Sequence, residues 1–135
     1  MQKGKASIQF ECPPWITAAG SIAGKKEGEG PLGALFDRTK EDDRMGKNNW
    51  EEAESYLQKE AAGLAMKKAG LSPQDIRYLF GGDLLGQLIA TSFGLMEFEI
   101  PLFGLYGACS TRGEAMSLAA MTVGGGLADR CIARA

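Results

Sequence analysis

Two short stretches of the chain carry the residue types and spacing that could do chemistry. Cys109 follows the apolar run Leu102 to Tyr106 and precedes Ser110 and Thr111, where a helix is expected to open. A thiol so placed lies near the positive end of a helix dipole, which favours the thiolate that nucleophilic catalysis uses. The same placement suits a small thiol packed beneath a helix, the commoner fate of a single free cysteine. Asp83, in Gly81-Gly82-Asp83, could orient a ligand or accept its hydrogen bonds. Its simpler role is a helix cap that takes the amides of residues 85 and 86. Gln87 lies one helical turn beyond Asp83 on a helix read from Leu84, so both side chains could face the same end of a sheet.

Other residue groups exclude function classes. Cys12, Cys109 and Cys131 are an odd set without CxxC spacing, and histidine is absent, so neither a disulfide framework nor a Cys/His zinc site is suggested. No metal and no cofactor are expected, and a reducing compartment fits best. The net charge of −2 and pI of about 5.2, with Lys and Arg interspersed among acids, argue against a nucleic-acid partner. Gly124 to Gly126 follow a helix instead of opening one, and no Gly-Lys-Ser/Thr comes next, so they read as a helix C-cap and turn rather than a phosphate loop. No stretch approaches the roughly 18–20 apolar residues of a membrane span, and the N-terminus leads into no signal-like run. The chain is expected to be soluble, or at most peripheral to a membrane.

The elements that must position these residues follow from periodicity. A chain of 135 residues suits one domain, or one half of a larger one. Ala6–Phe10 and Trp15–Ile22 read as extended segments parted by Pro13-Pro14. Residues 24–49 read as a long surface loop, rich in Gly and charge, with at most one helical turn. Asn49 can cap a helix opening at Trp50, with Glu52 placed for a capping box, Lys67 and Lys68 in the last turn, and Gly70 as terminator. Its apolar face is read as Trp50, Ala53, Leu57, Ala61, Leu64 and Ala65. Pro73 then sits at a first-helical position. Beyond it come a strand at Ile76–Phe80, a helix at Leu84–Met96, a strand at Pro101–Tyr106, a helix at Ser110–Val123 and a strand at Arg130–Arg134. This alternation predicts a parallel sheet with right-handed crossovers, whose ligands gather at the carboxyl ends of the strands.

Several stretches together resemble the stage V sporulation protein AD family, a branch of the thiolase-like superfamily. They are Phe10-Glu11-Cys12-Pro13-Pro14, Gly28-Glu29-Gly30-Pro31-Leu32-Gly33-Ala34-Leu35-Phe36-Asp37, Asn49-Trp50-Glu51, Gly82-Asp83-Leu84-Leu85 and Gly107-Ala108-Cys109-Ser110-Thr111. The segment around Gly30-Pro31-Leu32-Gly33 is peculiar to that family, whereas an Ala-Cys pair before a helix is common to the superfamily. The resemblance runs the whole length. It implies an α/β, thiolase-like fold, of which residues 1–135 would be the N-terminal half: a mixed, mostly parallel sheet with crossover helices, its surface loop at about 24–49 and its core at about 50–135. Because each half of such a fold is buried against the other, a chain of this extent should expose apolar surface, and is expected either to be unstable alone or to be part of a longer chain.

The resemblance also implies a function. That function is binding of dipicolinic acid, the pyridine dicarboxylate stored with calcium in spores, during its passage into or out of the spore across the inner spore membrane. Membrane-embedded proteins of the same sporulation operon would be partners, the location would be the forespore or spore, peripheral to that membrane, and the complete protein would be a homodimer. Asp83, Gln87, Cys109, Ser110 and Thr111 would line the pocket, with amides and hydroxyls at the Cys109 turn receiving a carboxylate. Asp83 would face a ring nitrogen, a bridging cation or water, or be protonated. In condensing relatives the cysteine at the position resembling Cys109 attacks an acyl thioester, while His and Asn, or a second His, from the other half supply the base and help form an oxyanion hole. This chain has no histidine, so turnover is not implied. Two alternatives accompany this reading: an acyltransferase using Cys109, and a structural module whose 24–49 loop docks a membrane partner.

Overall fold

The computed structural model describes residues 1–84 and 87–135. The chain opens on a short hairpin in which β1 (Gln2–Lys3) pairs antiparallel with β2 (Ser7–Ile8). Past Pro13-Pro14, only the end of the second extended segment enters a ladder, as β3 (Ile22–Ala23). The predicted loop holds one helical turn, α1 (Lys25–Gly28), a 3-10 turn at Gly33–Leu35, and β4 (Arg38–Thr39), which pairs parallel with β3. The Gly30-Pro31-Leu32-Gly33 segment has a packing reason for its composition. A Cβ at the buried Gly33 would overlap the carbonyl of Gly28, so the loop closes on itself only with glycine there.

Helix α2 (Trp50–Ala69) forms where the cap residues place it. Asn49 Oδ1 accepts from Glu52 N–H at 2.8 Å, and Glu52 accepts in return from Asn49 Nδ2 (3.1 Å) and Asn48 N–H (3.3 Å). At the other end Gly70 adopts φ 67°, and Leu71 N–H reaches back to Met66 O at 2.9 Å. Asn49→Ala should therefore lower unfolding stability by about 1 kcal/mol in urea titrations, with Asn49→Ser near neutral. The buried strip of α2 shares only Ala53 with the expected apolar face: Ala53, Gln58, Ala62 and Met66 face inward, Leu57, Ala61, Leu64 and Ala65 are half-buried, and Trp50 is exposed. Gly20 lies against Ala61, Leu64 and Ala65, so a strap from the N-terminal segment covers that second face.

The loop is fastened to this helix. Asp37 accepts from Ser21 N–H (2.9 Å) and from Lys68 Nζ (2.6 Å), and the Lys68 hydrogen bond is the main reason its carboxyl sits below the usual carboxylate range. A depressed folded pKa means that this fastening holds above the ordinary Asp range and is lost as pH falls through the lowered value.

From residue 76 onward the expected alternation appears. After a 3-10 turn at Pro73–Asp75 come β5 (Tyr78–Gly81), α3 (Ile89–Leu95), β6 (Leu102–Gly104), α4 (Thr111–Gly124) and β7 (Cys131–Arg134). The sheet order is β6-β5-β7, both pairings parallel, with Leu79 opposite Leu102 and Ile132. Leu79 anchors the core formed with Ala62, Met66, Ile76, Leu95 and Ile100. On the opposite face, as strand alternation requires, the rings of Tyr78, Phe80 and Phe103 meet, Phe80 and Phe103 stacked at 5.0 Å. Gly126, at φ 74°, closes α4 as the glycine run predicted.

The helix read over Leu84–Met96 is shorter at its start. Gln87 and Leu88 have φ of 50° and 76°, left-handed values that a right-handed helix cannot pass through, so α3 begins at Ile89 and continues as a 3-10 turn to Phe98. Large apolar side chains remain in solvent, among them Trp15 (86% exposed), Phe93 and Leu127. Among the described residues no helix is long and apolar enough to cross a membrane.

Candidate functional site

The two turns singled out in the sequence meet at the carboxyl ends of β5 and β6. Leu105 N–H donates to Gly81 O at 2.8 Å, extending the ladder, and the next residue of the first turn, Gly82, lies directly on the second. A Cβ at Gly82 would overlap Leu105 O and come within 3.0 Å of Thr111 Cγ2. The absence of a side chain here is what lets the turns touch.

Asp83 is 4% exposed, and its carboxylate is turned into its own chain. Oδ1 accepts from Leu88 N–H at 3.0 Å, and Oδ2 accepts from Thr91 N–H and Thr91 Oγ1, each at 2.9 Å. Among the described residues it acts as a cap on the amides of Leu88 and Thr91; the expected cap on 85 and 86 lies outside the described residues. This long reach draws residues 87 and 88 into left-handed geometry. Gln87 is in consequence exposed and off the helix, so its expected place one turn beyond Asp83 is corrected.

Behind Asp83 stands a half-buried cation. Arg134, at the carboxyl end of β7, donates through Nε to the backbone carbonyl of Gln58 at 3.2 Å. Burial pulls its guanidinium down to about 9, opposed by the negative charges of Glu54 and Asp83 and reinforced by Arg112. Glu54 in turn accepts from Leu84 N–H at 3.1 Å. Neither Glu54 nor Arg134 was singled out from the sequence, because their roles depend on α2 and β7 being neighbours.

Cys109 lies in a 3-10 turn, Ala108–Ser110, just before α4, and Ala108 takes φ 46° to make it. The thiol is exposed, so it does not pack beneath the helix. Its neighbours are less free than their sequence suggests. Ser110 Oγ donates to Gly107 O at 2.8 Å and is in short contact with the Glu114 carboxylate. Thr111 is buried, and its hydroxyl oxygen accepts from Gly107 N–H at 3.3 Å. Glu114 is the residue that sequence reasoning missed. The pattern Thr111-Arg112-Gly113-Glu114, a capping-type acid in the first turn, was the available signal. A shallow groove runs from Ser110 and Glu114 along α4 to Ser117, Leu118 and Met121. A separate hollow of about 700 Å³ opens at the opposite, amino ends of the strands, beside Arg77, Glu99 and Arg130.

A parallel sheet with a cysteine-bearing turn between the end of β6 and the start of α4 is the arrangement of a thiolase-like fold. The chain is similar in structure to the priming β-ketosynthase of the R1128 polyketide biosynthetic pathway, with a TM-score of 0.56 over 92% of this chain and 41% of that one. At 17% identity this likeness concerns the fold alone. The family profile for Stage V sporulation protein AD (SpoVAD) matches residues 4–135, and the chain belongs to that family. It is 39% identical over 130 residues to Stage V sporulation protein AD of Bacillus subtilis (strain 168), a match covering 96% of this chain. The chain spans 38% of the length of that relative.

Proposed function

We propose that the full-length protein binds dipicolinic acid at the carboxyl ends of β5 and β6 and serves its transfer across the inner spore membrane. Membrane-embedded proteins of the same sporulation operon would be its partners. The observation that carries this reading is the meeting of the Asp83 and Cys109 turns at one sheet edge in a member of a sporulation family. The residues then divide by role. Cys109 and Gln87 are exposed and face the ligand. Asp83 and Thr111 are buried and hold the turns that shape the site.

Glu114 sets the electrostatic condition. Its carboxylate occupies the α4 start, the place that a ligand carboxylate would otherwise take. A dianion therefore binds best with a cation such as calcium, which Glu114 and a ligand carboxylate share. Titration calorimetry of the full-length protein with dipicolinate, with and without calcium, tests this; no heat of binding under either condition rejects it. Glu114→Gln should tighten calcium-free binding by roughly fourfold, since one like charge about 5 Å away costs about 0.8 kcal/mol where water fills the site. Its dependence on calcium should fall in parallel.

An exposed thiol on a positive-φ turn also favours a second reading, acyl transfer. The Cys109 thiol would attack an acyl-coenzyme A carbonyl: the Cys109 sulfur–acyl bond forms, the acyl–coenzyme A thioester bond breaks, and the proton of Cys109 passes to the departing sulfur, which leaves as the coenzyme A thiol. Intact-mass measurement after incubation with acyl-coenzyme A distinguishes the two: an acyl adduct lost in Cys109→Ala supports transfer, and an unmodified folded protein rejects it.

A further inference from the structure

The carboxyl end of β7 meets α2 at a polar cluster that the roles above do not use. Gln58, in the middle of α2, is 1% exposed, and among the described residues neither its Oε1 nor its Nε2 has a hydrogen-bond partner. Glu54, one turn earlier on the same face, accepts through Oε1 from Leu84 N–H, and among the described residues its buried Oε2 has no partner. Arg134 closes the cluster from β7 through its bond to the Gln58 carbonyl. Buried polar groups are nearly always satisfied, and a donor, Gln58 Nε2, and an acceptor, Glu54 Oε2, on adjacent turns of one helix call for a common partner.

Access and charge decide what that partner is. A docking protein or a surface ligand cannot reach a side chain with 1% exposure. A cation held by the oxygens of Gln58 and Glu54 would confront the Arg134 guanidinium. An anion would confront Glu54, with Asp83 close enough to act on the same guanidinium. A small neutral molecule that both donates and accepts meets neither objection.

We infer that Gln58 and Glu54 hold a buried water, which accepts from Gln58 Nε2 and donates to Glu54 Oε2. Since the other oxygen of Glu54 binds Leu84, next to Asp83, this water braces the Asp83 turn from behind. Gln58 and Glu54 are thus positioning residues for that turn. The water does not depend on the dipicolinate reading; only its effect on ligand affinity does.

A high-resolution crystal structure of the full-length protein tests the water directly. Density is expected within about 3 Å of both Gln58 and Glu54 Oε2. A direct side-chain bond from Gln58 to Glu54 or Arg134, with no water, overturns the inference. Gln58→Met, similar in volume and without polar atoms, supplies an independent reading. Loss of the water and a lower melting temperature are expected; a raised melting temperature means that the site is dry and overturns the inference. A Gln58→Met protein that has lost the water yet binds dipicolinate unchanged overturns only the bracing role.

Discussion

Replacing Asp83 with alanine should destabilise the full-length protein by about 3–5 kcal/mol and, on the proposed function, abolish dipicolinate binding with it. The magnitude follows from what the carboxylate holds. It receives two backbone amides and a buried hydroxyl, and it is one of the negative charges that offset Arg134. Removing it leaves the Thr91 and Leu88 donors unsatisfied and a half-buried guanidinium short of counter-charge, both costly changes for a point mutation. Asp83→Asn retains an acceptor but loses the charge, so about half that loss is expected. Urea unfolding checks the ordering. An alanine variant as stable as the wild type would mean that Asp83 is not the structural cap its contacts make it. The same reasoning sharpens how a binding defect is interpreted: loss of affinity in Asp83→Ala reports a collapsed turn, whereas loss in Cys109→Ala, at an exposed position, reports contact with the ligand.

Gly82→Ala should be nearly as damaging, for a steric reason. The added methyl would overlap the Leu105 carbonyl and press on Thr111 Cγ2 at 3.0 Å, and the first of these neighbours is backbone in the adjoining strand's exit. Nothing there can swing aside, so the two turns must part. A loss of about 2–3 kcal/mol is expected, as for other overpacked sites. Alkylation of Cys109 should change rate in the same variant, because its turn is displaced. Gly63→Ala is the control. It lies within α2 with no atom near the added methyl, and should stabilise by roughly 0.5–1 kcal/mol through helix propensity alone. If both substitutions have the same effect, close approach at Gly82 is not what matters.

Much of the framework was legible in the sequence because it rests on bonds between near neighbours. Asn49 and Gly70 mark the ends of α2 through contacts spanning three to five residues. The strands and helices after residue 76 follow from hydrophobic period, and Gly124–Gly126 end α4 as a local turn. The placement of Cys109 before a helix start is likewise local, and the family segments carried the fold class with it. What the sequence could not disclose is which polar groups would find each other across elements. Asp83 reaches five and eight residues ahead to Leu88 and Thr91, which delays α3 and takes Gln87 off the helix. Ser110 turns to Glu114 and Gly107, so its hydroxyl is not simply free for a ligand.

Gln58 is the plainest case. On periodicity it belongs to the polar face of α2, yet it is buried because β7 and Arg134 close over it. Local capping and period depend on a few successive residues, and the sequence by itself determined them. The satisfaction of buried charge and amide groups depends on which distant strand or helix becomes a neighbour, and only the tertiary packing decided that.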